Sequence, residues 1–138
     1  MTTARWEHFE HGSDIASSVE AAFEQSAVAL TAVCVDPSSV AEAIQIEIAC
    51  EASSLALLLV AWLDAVIYEM SVRRVLFSCY VVDRILEREL RQLRAHAFGE
   101  NVDARRHAPA VEIKGATFCA LSVTSDKGIW VAQCVVDV

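Results

Sequence analysis

The sequence is short of basic residues, with 11 Lys and Arg against 19 Asp and Glu and a formal charge of −8. A surface that grips a long run of nucleic-acid phosphates needs the opposite balance, so any contact with RNA is expected to be indirect or local. Paired cysteine motifs are also missing. The five cysteines, at 34, 50, 79, 119 and 134, form no C-x-x-C and leave one over, which suggests neither a zinc site nor a closed disulfide framework. Reduced thiols in an intracellular protein are the expectation, with Cys50, Cys119 and Cys134 in apolar runs where a thiol behaves as a small buried hydrophobe. The first residues lack the apolar core of a signal peptide. The most apolar run, LALLLVAWLDAVIY from 55 to 68, is short and carries Asp64, so no membrane span is expected. No repeat, linker or low-complexity tract divides the chain, and 138 residues fit one domain, 1–138.

What is present reads as alternating strand and helix. Residues 5 to 9 alternate loosely as a strand. SSVEAAFEQSAVALTAVCV then sets Val19, Phe23, Ala27, Leu30 and Val33 at helical spacing, with Ser17 and Glu20 placed as a capping box. Asp36-Pro37 ends that helix, and AIQIEIAC alternates as a half-buried strand. Ser53 or Ser54 caps a second helix whose Leu55, Leu58, Leu59, Trp62, Leu63 and Val66 make a wide apolar face. VLFSCYVV is a strand, whereas DRILERELRQLRAHAFGE fits both periods and by propensity alone favours a helix. VEIKGATFCALSV and IWVAQCVVDV, joined at Asp126-Lys127-Gly128, form a hairpin with a glycine turn. The class is α+β.

Polar residues in such a chain carry two readings each. In EHGSDI, residues 10 to 15, Gly12 and Ser13 form turns, and Asp14 either hydrogen-bonds the backbone of that turn or serves as a ligand or base. Asp137, taken alone, is a solvated acid. Lys114 interrupts an apolar strand and either snorkels to solvent or pairs with an acid. His107, in a loop beside Pro109, reads as structural. No nucleophile elbow, phosphate loop or base with its orienting partner is found, which sets a hydrolase low.

Six stretches in order resemble the archeases, small proteins that assist the RtcB-type RNA ligase: HGSDI at 11–15, EAAFEQSAVAL, LLVAWLDAVIY, FGENVDARRH, VEIKGATF and the terminal WVAQCVVDV. The resemblance spans the whole chain. It implies two helices packed on a largely antiparallel sheet, and a strand, turn and strand over the ambiguous 83–100 region. It also implies a divalent-metal site shared by Asp14, Asp137 and a main-chain oxygen of Val138. Two carboxylates and a carbonyl make an all-oxygen set suited to Ca²⁺, Mg²⁺ or Mn²⁺. His11 would stand behind the ligands as an orienting neighbour, and Lys114 would contact the ligase or a nucleotide. The implied function is a non-enzymatic, cytoplasmic activator of a 3′-phosphate RNA ligase in tRNA splicing or RNA repair, promoting guanylylation of the ligase and multiple turnover. The alternative is a chaperone-like or general protein-binding module that uses the apolar surplus. In one place the chain departs from the family: Ile15 is followed almost at once by Ser17, Ser18 and Val19, about eight residues short of the usual glycine-containing strand, roughly the length of one strand.

Overall fold

A computed structural model describes residues 3–9, 18–103, 105, 107, 113–119 and 121–137. Ser18 opens the first helix, α1 (Val19–Cys34), its hydroxyl accepting the Ala21 N–H at 3.1 Å and so satisfying one of the helix's orphan donors. The expected capping box at Ser17 is therefore corrected. Ser17 itself lies outside the described residues, and with Ser18 as cap Glu20 is the second helical residue, one position short of the reach-back role. After α1, Asp36 accepts the Ser38 N–H at 3.0 Å and starts one 3-10 turn, Pro37–Ser39.

Ser54 caps α2 (Leu55–Arg73) by accepting the Leu57 N–H at 3.2 Å, and Arg74 ends it in the left-handed region at φ 51°. By length and hydropathy α2 could cross a membrane, but its stripe of Leu58, Leu59, Trp62, Leu63 and Val66 is fully buried in the core. Trp62 donates its indole N–H to the Phe23 carbonyl at 3.0 Å, fixing the two helices against each other. Tyr80 meets Trp62 and Phe77 edge-on and shares a 2.6 Å hydrogen bond with Thr31.

The strands form two antiparallel sheets. In one, β2 (Ile44–Ala52), β4 (Arg91–Asn101) and β3 (Val75–Glu87) lie in the order β2-β4-β3. The ambiguous region is thus strand, turn and strand, with its tip at residues 88–90. Gly99 is required there, because a Cβ would stand 1.8 Å from the Leu76 carbonyl oxygen of the neighbouring strand. The other sheet centres on β7 (Ile129–Asp137), with β1 (Thr3–Phe9) on one side and β5 (Gly115–Ala116) and β6 (Ser122–Asp126) on the other. Both helices pack against strands of both sheets and so join them.

Lys127 and Gly128, at φ 52° and 78°, make the β6–β7 turn that the glycine called for. The expected single strand over 111–123 is broken. Thr117 donates its hydroxyl to the Val135 carbonyl at 2.9 Å and accepts the Cys119 N–H at 3.2 Å, which curls the chain out of the sheet between β5 and β6. Cys119 is accordingly exposed and not in a strand; Cys50 is half-buried and Cys134 fully buried.

Candidate metal and partner site

Strand β7 is the central strand of its sheet, and Asp137 is its last residue. It faces Thr3 of β1 on one side and Gly115 of β5 on the other. Its main-chain carbonyl accepts the Lys114 N–H at 2.7 Å. Because Cys134 and Val136 point into the core, alternation sends the Asp137 side chain to the opposite face. There its Oδ1 is buried and has no hydrogen-bond partner, although the residue as a whole is only half-buried. A desolvated carboxylate oxygen with no donor is costly as it stands, and it is the kind of atom a hard cation takes. This residue therefore fits the metal that the resemblance implies.

The other implied ligands, Asp14 and the Val138 oxygen, lie outside the described residues, as does His11. Among the described residues no three His, Cys, Asp or Glu side chains gather at one point. The β1–β7 register sets Phe9 opposite Val131, so the chain leaves β1 at the end of β7 remote from Asp137.

Lys114 is brought beside Asp137 by the β5–β7 pairing, although the two are far apart in sequence. Its side chain is exposed and, among the described residues, makes no ion pair. It lines a cavity of about 560 Å³ with Asp64, Tyr68, Ser71 and Ile113. Asp64 accepts the Ala116 N–H at 2.9 Å, which ties α2 to the free edge of β5. The one charge inside the Leu-rich run is thus a tether for the Lys114 strand. Composition had marked Asp64 only as an interruption.

A second polar cluster is structural. Glu100 is buried, and its carboxylate accepts the Ala41 N–H and sits 3.0 Å from His107 Nε2. His107 Nδ1 accepts the Asp103 N–H at 2.8 Å, and a ring nitrogen that accepts carries no proton, so the hydrogen lies on Nε2, toward Glu100. This arrangement pins the loop after β4 onto the segment before β2. It gives His107 the structural role expected of it, and it identifies Glu100 as the residue of the FGENVDARRH stretch that sequence reasoning had left unassigned.

Comparison with known proteins is consistent across the chain. The family described as Archease protein family (MTH1598/TM1083) matches residues 6–138. The chain is 31% identical over 141 residues to the archease of Pyrococcus furiosus, covering 97% of this chain and 99% of that one. It is 33% identical over 140 residues to the archease of Methanosarcina mazei, with 97% and 96% covered. The fold is similar to the solution structure of Methanobacterium thermoautotrophicum protein 1598, at a TM-score of 0.79 and 21% identity over 100% of this chain and 94% of that one. It is also similar to the crystal structure of a Thermotoga maritima protein described as an archease and possible chaperone, at a TM-score of 0.56 and 14% identity, with 98% and 90% covered.

Proposed function

This chain belongs to the archease family, and from that premise we propose that it is a cytoplasmic, non-enzymatic activator of an RtcB-type 3′-phosphate RNA ligase. In this reading it promotes guanylylation of the ligase and so supports repeated turnover in tRNA splicing or RNA repair. The observation that carries the reading is the buried, partnerless Oδ1 of Asp137 beside Lys114. Asp137, with Asp14 and the Val138 oxygen, would hold Ca²⁺, Mg²⁺ or Mn²⁺, with His11 orienting the set. A divalent ion in such a site supplies positive charge where a triphosphate must be neutralised. The chain's own contributions are the carboxylates that hold it and the Lys114 ammonium, which projects from the same corner toward ligase or nucleotide. Its acid excess suits a basic groove on the ligase, with RNA contacted only locally.

The chaperone-like reading draws on a different observation: Tyr68 and Val72 on α2 and Phe118 beyond β5 are each more than half exposed. The two readings separate in a single-turnover guanylylation assay with a cognate ligase. Folded Asp14→Asn and Asp137→Asn variants are expected to lose activation, and Lys114→Ala to lose it while still binding metal. Full activation by both aspartate variants would defeat the metal-site reading and leave the binding module.

A further inference from the structure

We propose that Cys119 and Cys134 form a dithiol that closes to a disulfide on exposure to a hydroperoxide. The pairing partners on either side define the place. Ala116 faces Val136 and Ser122 faces Gln133, so five positions of sequence separate these pairs on one side where β7 has only two, 134 and 135. Cys119 sits on that outward curl and is exposed, while Cys134 lies on the strand beneath it and is fully buried. One residue joins them: Thr117 accepts the Cys134 Sγ–H through its carbonyl at 3.2 Å and the Cys119 N–H through its hydroxyl at 3.2 Å. Packing holds the curl weakly, for Phe118 is 68% exposed and the Leu121 N–H reaches the Phe118 carbonyl only at 3.4 Å. Cys119 therefore sits on a segment that few contacts hold in place.

The two thiols have different parts. Burial pushes the Cys134 thiol up from its ordinary range, and the Asp64 carboxylate and Cys119 nearby add to that. It remains protonated and shielded, and the exposed Cys119 meets the oxidant first. The Cys119 sulfur attacks the peroxide, the O–O bond breaks, an S–O bond forms, and ROH leaves, giving a sulfenic acid. The Cys134 sulfur then attacks that sulfur, its proton and the hydroxyl depart as water, and the S–S bond closes. The dithiol is oxidised by two electrons and the hydroperoxide is reduced by two. The product would staple the curl, which begins three residues after Lys114, to β7 three residues before Asp137.

The test treats the folded full chain with hydrogen peroxide, blocks remaining thiols, and maps peptides without reduction. The expected result is a 119–134 linked peptide with three free cysteines. In Cys134→Ala, a dimedone adduct on Cys119 should rise at least tenfold over the intact chain, because nothing resolves the sulfenic acid. Cys119→Ser, an exposed change, should fold as the parent and leave Cys134 reduced. Oxidation at other cysteines with no 119–134 peptide, or equal dimedone labelling of Cys119 with and without Cys134, would overturn the proposal.

Discussion

Replacing Asp137 by Asn should affect stability differently with and without metal. In the metal-free protein the buried Oδ1 has no donor, and an unsatisfied buried polar atom costs about 1–3 kcal/mol. Since the residue is half-buried, the low end applies, about 1 kcal/mol. Asn leaves a polar atom in the same place but removes its charge, the costlier part of its burial, so the metal-free variant should melt no lower than the parent and at most about 3 °C above it, taking roughly 3–4 °C per kcal/mol for a domain of this size. With an ion at about 100 times its Kd, the parent gains roughly 2.7 kcal/mol by mass action, a rise of about 8–10 °C. The variant, having lost a charged ligand, should gain no more than about 2 °C at the same concentration. Thermal melts of both proteins in chelator, then in Ca²⁺ and in Mn²⁺, read these values. A metal-free variant that melts below the parent, or one that keeps the full metal shift, would refute the assignment of Asp137 as a ligand.

Elsewhere the structure sets three further expectations. Glu100→Ala removes the acceptor of the Ala41 N–H and the partner of the buried His107 Nε2–H, so urea unfolding should show a loss of about 1–3 kcal/mol. Tyr80→Phe leaves the Thr31 hydroxyl buried and costs about 1–2 kcal/mol, while Tyr80→Phe with Thr31→Val should cost less than the sum of the two single changes; an additive cycle would deny the 2.6 Å bond any coupling. Burial pushes the Cys50 thiol up from 9.0 to about 11, so the unfolded chain loses that proton first as pH rises. The resulting stability is whole below pH 9 and lost as pH climbs through 11, and the fall in urea midpoint between pH 8 and pH 10.5 should shrink in Cys50→Ala.

Sequence periodicity carried the fold where one face of an element meets one layer. The Leu58, Leu59, Trp62, Leu63 and Val66 stripe of α2 and the alternating Ile46 and Ile48 of β2 are buried as their spacing demands. Over ILERELRQLRAHAF the periods coincide, and what decides for strand is pairing with residues far away: β4 is central, with β2 on one side and β3 on the other. No local signal reports that. The break between β5 and β6 was hidden for the same reason, since Thr117 curls the chain by bonding Val135, 18 residues on. The site was half legible. Lys114 stood out as a charge in an apolar strand, whereas Asp137 became a candidate only through the family resemblance, and their adjacency follows from strand pairing alone. Asp64 and Glu100, which hold the neighbouring segments, announce their roles only through the backbone N–H groups they accept.

That same pairing sets the terms on which Asp14 can share an ion with Asp137. Phe9 faces Val131, and Asp137 lies six residues farther along β7, a distance of about 20 Å at ~3.3 Å per residue. The five residues from Phe9 to Asp14 span about 17–18 Å when fully extended. Were Asp14 to share an ion with Asp137, the two carboxylates meeting at the cation would have to cover the remaining few ångströms, which leaves the connection little slack. In the proposed site, chain length after Phe9 would then itself matter, independent of any ligand's identity. Deleting Glu10 should abolish the metal-dependent rise in melting temperature while the metal-free melt stays within about 2 °C of the parent, because β1 ends before it. Inserting one glycine at the same point should leave the metal shift largely intact. Equal metal shifts in the deletion and the parent would place the second carboxylate elsewhere than at Asp14.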